Sequence, residues 1–158
     1  MQSVRGMNVL VTGAAMGLGK LFAADAVREG AATVVLWDAN EVALKETAAE
    51  LEAAGGVIKY ETVDVSSQTR VAEAAERVRA DLGTIHVLFN NAGIVRGNGY
   101  FWESRPRDFL LTMEVNSVGP MLVAREFLPA MIDSGSDCRL VNIASSAGLN
   151  AIPRMAAY

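Results

Sequence analysis

Three glycines, Gly13, Gly17 and Gly19, lie between a short apolar stretch and an amphipathic one. No other feature restricts the possible folds of this chain as much. Met7–Val11 is continuously apolar apart from Asn8 and reads as a strand, whereas Gly17–Arg28 places Leu18, Leu21, Phe22 and Ala26 at helical spacing on one face. A glycine turn leading from strand into helix brings backbone close to the free N–H groups of a helix N-terminus, which favour an anion. Gly13 permits the tight turn, Gly17 lets the backbone approach a pyrophosphate, and Gly19 allows helix to pack closely on strand. The turn as a whole, Thr12-Gly13-Ala14-Ala15-Met16-Gly17-Leu18-Gly19, is spaced more widely than GxGxxG. Its expected cofactor contacts are Gly13, Met16, Gly17, Leu18 and Gly19.

The remaining chain repeats the alternation of short apolar and longer amphipathic segments, the pattern of βαβ units. Thr33–Trp37, Val57–Val63, Ile85–Phe89 and Arg139–Ala144 read as further strands. Helices are expected over Asn40–Ala53, from a cap at Ser66 or Ser67 to about Leu82, over Glu103–Met113 with Pro106 near its first turn, and over Asn116–Ile132. Pro120 suits a first turn, whereas Pro129 should kink or loosen the helix end. Right-handed crossovers then give an α/β fold: a doubly wound parallel (Rossmann) sheet of about five strands in order 3-2-1-4-5, in three α/β/α layers. Residues 1–158 read as a single dinucleotide-binding domain without linker or repeat.

Composition narrows the chemistry. With 51% hydrophobic residues, a positive mean hydropathy and few aromatics, the chain suits a parallel sheet buried on both faces. A net charge of −4, with both signs mixed and no basic patch, argues against a nucleic-acid partner. The single cysteine, Cys138, excludes an internal disulfide or thiolate cluster and reads as a buried apolar filler. The lone His86 reads as a structural imidazole at a strand start, and no metal-ligand set is visible. Met1-Gln2-Ser3-Val4-Arg5-Gly6 lacks an apolar leader core, and no run approaches a bilayer span. The expected location is cytoplasmic.

Asp38 ends the second strand about twenty residues beyond the glycine turn, where a carboxylate can accept from the adenosine ribose. It would repel a 2′-phosphate, and neither Met16 nor Ala39 offers a basic residue to attract one, so NAD is expected rather than NADP. Asp64, with Val65 beside it, ends the third strand within reach of an adenine amino group.

The ordered set Thr12-Gly13-xxx-Gly17-x-Gly19, Asn90-Asn91-Ala92-Gly93, Asn116, Ser145 and Tyr158 resembles the short-chain dehydrogenase/reductase family, from Met7 to the end of the chain. Val9-Leu10-Val11-Thr12-Gly13, Val35-Leu36-Trp37-Asp38-Ala39-Asn40 and Phe127-Leu128-Pro129-Ala130-Met131 look most like its retinol and 17β-hydroxysteroid dehydrogenase branch. The resemblance implies that Asn91, Ala92 and Gly93 line the cofactor near its ribose. It implies that Ser145 hydrogen-bonds the substrate oxygen, that Tyr158 is the general acid/base, and that Asn116 holds a relay water through a helix distortion. A free tyrosine, pKa ~10, is a poor base at neutral pH, so the family's lysine four residues beyond the tyrosine is needed to favour phenolate. Met16 stands where the family often has a hydroxyl or a small residue.

The implied activity is NAD-dependent interconversion of an alcohol and a carbonyl, with a lipophilic substrate such as a retinoid or steroid and a homo-oligomeric parent. Two alternatives stay open: a non-catalytic nucleotide-binding module, and a family member catalysing dehydration or epimerisation. The chain stops before the lysine, the last strands and helices, and the substrate loop. Residues 1–158 alone are therefore expected to be inactive and to self-associate. The expected contacts are through strand five (Leu140, Val141, Ile143) and through exposed parts of Val118, Leu122, Phe127 and Met131.

Overall fold

The computed structural model describes residues 3–158; Met1 and Gln2, part of the stretch read as lacking a leader core, lie outside the described residues. Strands β1 (Asn8–Thr12), β2 (Thr33–Asp38), β3 (Ile58–Thr62), β4 (Val87–Asn90) and β5 (Arg139–Asn142) form one sheet. Helices α1 (Gly17–Arg28), α2 (Glu41–Ala53), α3 (Gln68–Leu82), α4 (Pro106–Met113) and α5 (Gly119–Asp133) connect them. Every strand pair is parallel and the order is β3-β2-β1-β4-β5, as the alternating pattern implied. Successive strand side chains point to opposite faces. Val9, Val11, Val34 and Leu36 therefore pack with α1 and α2, while Leu10, Val35 and Trp37 pack with α3 and α5. With both faces covered, β1, β2 and β4 are nearly continuous apolar runs, whereas edge strand β3, read from a loose alternation over Val57–Val63, carries exposed Lys59 and Tyr60.

Local chemistry sets the helix starts. The Asn40 side chain accepts from the Ala43 N–H to cap α2, and Ser67, one of two expected candidates, accepts from Arg70 to cap α3. Pro106 opens α4, and Arg105 before it is extended, the conformation a following proline enforces. For that reason the expected helix over Glu103–Met113 is split: Phe101–Glu103 is a 3-10 turn, and the α-helix begins only at Pro106.

Four other expectations need correction. Of the face expected for α1, Ala26 is buried and Phe22 packs against the core, but Leu18 and Leu21 are 56% and 59% exposed, and Gly19 and Ala23 are buried in their place. A Cβ on Gly19 would collide with the Gly13 carbonyl oxygen, so α1 lies too close to β1 for leucine on that face. The helix expected from Asn116 begins as a π turn over Glu114–Val118, and α5 continues through Pro129 to Asp133. Leu122, Phe127 and Met131 are buried against α3 and the sheet, leaving only Val118 of that set exposed. Cys138 is half-buried, packing against the core edge with its Sγ 3.7 Å from Ser134 Oγ.

His86 takes the structural role expected of it. Its Nδ1 accepts from the Asn8 N–H at 3.1 Å, joining the start of β1 to the segment leading into β4. Phe127, 1% exposed, packs tilted against Trp37 at 5.7 Å between centroids, joining α5 to β2 across β1 and β4. Phe127→Ala is expected to lower stability by about 3–5 kcal/mol through lost burial and the cavity left behind. Urea denaturation of the full-length protein measures this; a change below about 1 kcal/mol would mean that the site collapses freely.

Candidate active site

The register brings Thr12, Asp38, Thr62, Asn90 and Asn142 to the carboxyl edge of the sheet, β1 and β4 being neighbours there. Ligand crevices form at this edge of open α/β sheets, where the strand order reverses. One hydrogen-bonded knot closes the gap between the two central strands. Thr12 Oγ1 accepts from the N–H groups of both Asn91 and Ala92 at 3.1 Å. In return Asn91 Nδ2 donates to the carbonyls of Thr12 (2.9 Å) and Gly13 (3.2 Å). Gly13 has a φ of +65°, and a Cβ there would stand 2.8 Å from Ala92 Cα, so both backbone handedness and space demand glycine.

The glycine turn meets the requirements of a pyrophosphate. Gly17 has a φ of +56° and open space where a Cβ would be. Met16, the exposed N-cap of α1, provides no side-chain cap, so the first-turn N–H groups including those of Leu18 and Gly19 are left for an anion. Asp38 is half-buried beside this turn. One carboxylate oxygen accepts from the Ala15 N–H at 3.0 Å and the other from the Asn40 N–H at 2.9 Å. Each oxygen retains acceptor capacity for a ribose hydroxyl. Asp64 is exposed and braces its own turn, its Oδ1 accepting from the Ser66 N–H and hydroxyl. The Val65 side chain is buried against Gly119, so only its backbone can face a ligand.

A cleft of about 920 Å³ opens between β4, β5 and the start of α5. Leu18, Asn91, Ala92, Gly93, Asn116, Ser145 and Tyr158 all line it, although the last three are far apart in sequence. Gly13, Met16, Gly17, Gly19, Asp38, Asp64 and Val65 lie outside it, towards the β1–β2–β3 side. Asn116 lies within the π turn, and its amide exchanges two 2.8 Å hydrogen bonds with Ile94, Oδ1 accepting from the N–H and Nδ2 donating to the carbonyl. Ser145 leads into a 3-10 turn, its Oγ accepting from the Ala147 N–H at 3.2 Å. Tyr158 is 42% exposed at the cleft wall.

Neighbouring residues fix the walls. Asn90 Nδ2 donates to the Pro120 carbonyl (3.1 Å) and to Asn142 Oδ1 (3.0 Å), while its own Oδ1 is buried without a partner among the described residues. Outside the cleft lining, at the start of α4, Arg105 grips Asp108 with two hydrogen bonds, which hold the Asp108 carboxyl below the usual carboxylate range against a smaller desolvation effect. The same contact holds the Arg105 guanidinium above its ordinary value. Asn90 stood in the run that carries the family resemblance without a role of its own, and the structure makes it a wall residue paired in register with Asn142. Sequence reading missed Val95, Ser117, Pro120 and Met121 as wall residues. These four carry no chemical signal of their own.

Comparison with known proteins agrees with this geometry. The sequence profile described as short chain dehydrogenase matches residues 7–158. The chain is 36% identical to estradiol 17-beta-dehydrogenase 11 of Pongo abelii, over 99% of this chain and 51% of that protein. It is 39% identical to 2-dehydro-3-deoxy-L-rhamnonate dehydrogenase (NAD(+)) of a Sphingomonas species, over 97% and 59%. Among solved structures, a short chain dehydrogenase/reductase from Burkholderia phymatum in complex with NAD superposes with a TM-score of 0.95 at 36% identity, covering 100% of this chain and 56% of that one. A metagenomic short-chain oxidoreductase in complex with NADP gives 0.92 at 34%, covering 99% and 70%. The chain belongs to the short-chain dehydrogenase family, and it spans about half the length of the curated relatives it matches. Its relatives are dehydrogenases of small molecules, and among the described residues no helix is long and apolar enough to cross a membrane.

Gly19→Ala tests how closely the turn is built. The new Cβ would meet the Gly13 carbonyl and stand 2.6 Å from Asn91 Nδ2. The expected result is a loss of about 1–3 kcal/mol or more in urea denaturation, because neither neighbour can withdraw without breaking the knot at Thr12. Wild-type stability in the alanine variant would show that the turn is looser than drawn.

Proposed function

We propose that this chain is the dinucleotide-binding part, as one domain over residues 1–158, of an NAD-dependent oxidoreductase that interconverts an alcohol and a carbonyl. The observation that carries the reading is the convergence of Asn116, Ser145 and Tyr158 on one cleft, next to the Asn91–Gly93 segment. When bound, a nicotinamide dinucleotide supplies hydride transfer. The protein supplies position and proton chemistry. In this reading Ser145 holds the substrate oxygen and Tyr158 exchanges its proton. The π turn at Asn116 turns backbone towards the cleft to hold a water in the relay. Gly13, Met16, Gly17, Leu18 and Gly19 face the pyrophosphate, Asn91–Gly93 the nicotinamide ribose, and Asp64 with the Val65 backbone the adenine.

NAD is the proposed cofactor because Asp38 places a carboxylate where a 2′-phosphate would otherwise lie. The proposed substrate is a lipophilic alcohol or ketone such as a steroid or retinoid, supported by the likeness to estradiol 17-beta-dehydrogenase 11. The sugar-acid dehydrogenase among the relatives marks the competing substrate class. The whole protein is further proposed to be cytoplasmic and homo-oligomeric, the second supported by exposed Leu110, Met113 and Ile132 along α4 and α5. Activity is assigned to the whole protein, and residues 1–158 in isolation are proposed to be inactive.

Two measurements on the full-length protein test the reading. Tyr158→Phe keeps the ring and removes the proton, so kcat is expected to fall on the order of 10² or more with NAD affinity little changed. Near-normal turnover would remove Tyr158 from the acid/base role. Calorimetry should find NAD bound more tightly than NADP, and Asp38→Asn should narrow that gap. Asparagine is the informative substitution, because it keeps an acceptor for the Ala15 N–H while removing the charge. Equal or tighter binding of NADP by the wild type overturns the NAD assignment.

A further inference from the structure

Ala15 is held through both of its backbone polar groups by residues from outside the glycine turn. Its N–H donates to Asp38 Oδ2 at 3.0 Å, and its carbonyl accepts from Thr47 Oγ1 at 2.9 Å. The preceding N–H, of Ala14, donates to the Trp37 carbonyl at 3.1 Å. The turn is thereby fastened to the end of β2 and to the middle of α2, as well as to β4 through Thr12 and Asn91.

Thr47 is the unusual member. It is 1% exposed on the face of α2 that otherwise buries Leu44, Ala48 and Leu51. A threonine inside a helix commonly returns its hydroxyl to a carbonyl of the preceding turn. Here the hydroxyl leaves its own helix for a backbone carbonyl 32 positions earlier in the chain. Separated, a buried hydroxyl and a buried carbonyl would each carry a desolvation penalty. The bond therefore fixes where Ala15 lies relative to α2. Ala15 immediately precedes Met16, the N-cap of α1, so any shift at Ala15 moves the first-turn N–H groups.

We propose that Thr47 is a positioning residue for the cofactor: acting through Ala15, it holds the Gly13–Gly19 turn in the conformation that receives a pyrophosphate. Thr47 touches no ligand itself. The inference rests on the reading of the turn as a pyrophosphate cradle and adds a residue on α2 to its control. It also gives Asp38 two tasks, since the carboxylate that faces a ribose holds the N–H of the same residue.

The test uses the full-length protein and two ligands. ADP-ribose carries the pyrophosphate, whereas adenosine carries the ribose hydroxyls that Asp38 would accept from but no phosphate. Thr47→Val keeps the shape of the side chain and removes its donor; Thr47→Cys, of similar volume with only a weak donor, carries the same test if the valine protein does not fold. The expected result is a rise in Kd for ADP-ribose of about three- to tenfold, the size of one net hydrogen bond. Adenosine binding should stay unchanged, and Thr47→Ser should restore wild-type affinity for ADP-ribose. Equal losses for both ligands, or a loss that serine does not restore, would assign Thr47 to general packing and overturn the proposal. Unchanged ADP-ribose binding in the valine or cysteine variant would overturn it too. A wild-type protein that binds adenosine but gains nothing from the pyrophosphate would remove the cradle itself, and the role of Thr47 with it.

Discussion

The hydrogen-bonded knot between Thr12 and Asn91 is the constraint on which the rest of the site depends. Parallel strands diverge beyond their last ladder bond, and the turn after β1 and the loop after β4 would otherwise be free to separate. One hydroxyl accepting two backbone N–H groups, and one amide donating to two carbonyls, satisfies both chain ends at once. The closeness of that junction is what excludes side chains at Gly13 and Gly19. It also sets α1 low on β1, and the glycine N-terminal turn follows from the same approach. A feature first read as a ligand-binding motif is thus also a packing requirement of the sheet.

The central strands were legible because a parallel strand covered on both faces must be apolar on both, and such runs stand out from amphipathic helices; edge strand β3 was read instead from its loose alternation. Helix ends followed where capping chemistry was local, as at Asn40, Ser67 and Pro106. The face of α1 was misread because periodicity counts large apolar residues, whereas close approach selects small ones. The π turn at Glu114–Val118 was implied only through the family resemblance, since nothing in its composition distinguishes it from ordinary helix. Asn116, Ser145 and Tyr158 were named from their order in the chain, but only the fold brings them to one cleft. Thr47 was invisible, because a threonine on an Ala-rich helix carries no hint of a distant partner.

Asp38 shows how a structural role can prepare the same atoms for the binding role proposed for them. Its two oxygens are already engaged by Ala15 and Asn40, and this engagement orients the carboxylate before any ligand arrives. An acceptor held by backbone donors loses little freedom on binding, so its contribution to a ribose contact is not spent on ordering the side chain. Asp64 is braced similarly by Ser66, but in full exposure and on its own turn.

The π turn has a geometric effect well away from the cleft. A wider turn takes up more residues than an α turn, so each residue absorbed there rotates the following helix by roughly 100° about its axis. Leu122, Val123, Phe127 and Met131 face the sheet and α3 only with that rotation in place. The five residues from Glu114 to Val118 therefore act as a phase setting for the second half of the layer. Conversion of the segment to regular α-helix with every residue kept would turn the apolar stripe of α5 away from the core by roughly that angle. Deletion of one residue, for instance at exposed Ser117, would instead remove the absorbed residue and leave the stripe facing the core. The angular register of α5 thus depends on the wide turn and its absorbed residue together, since each offsets the other.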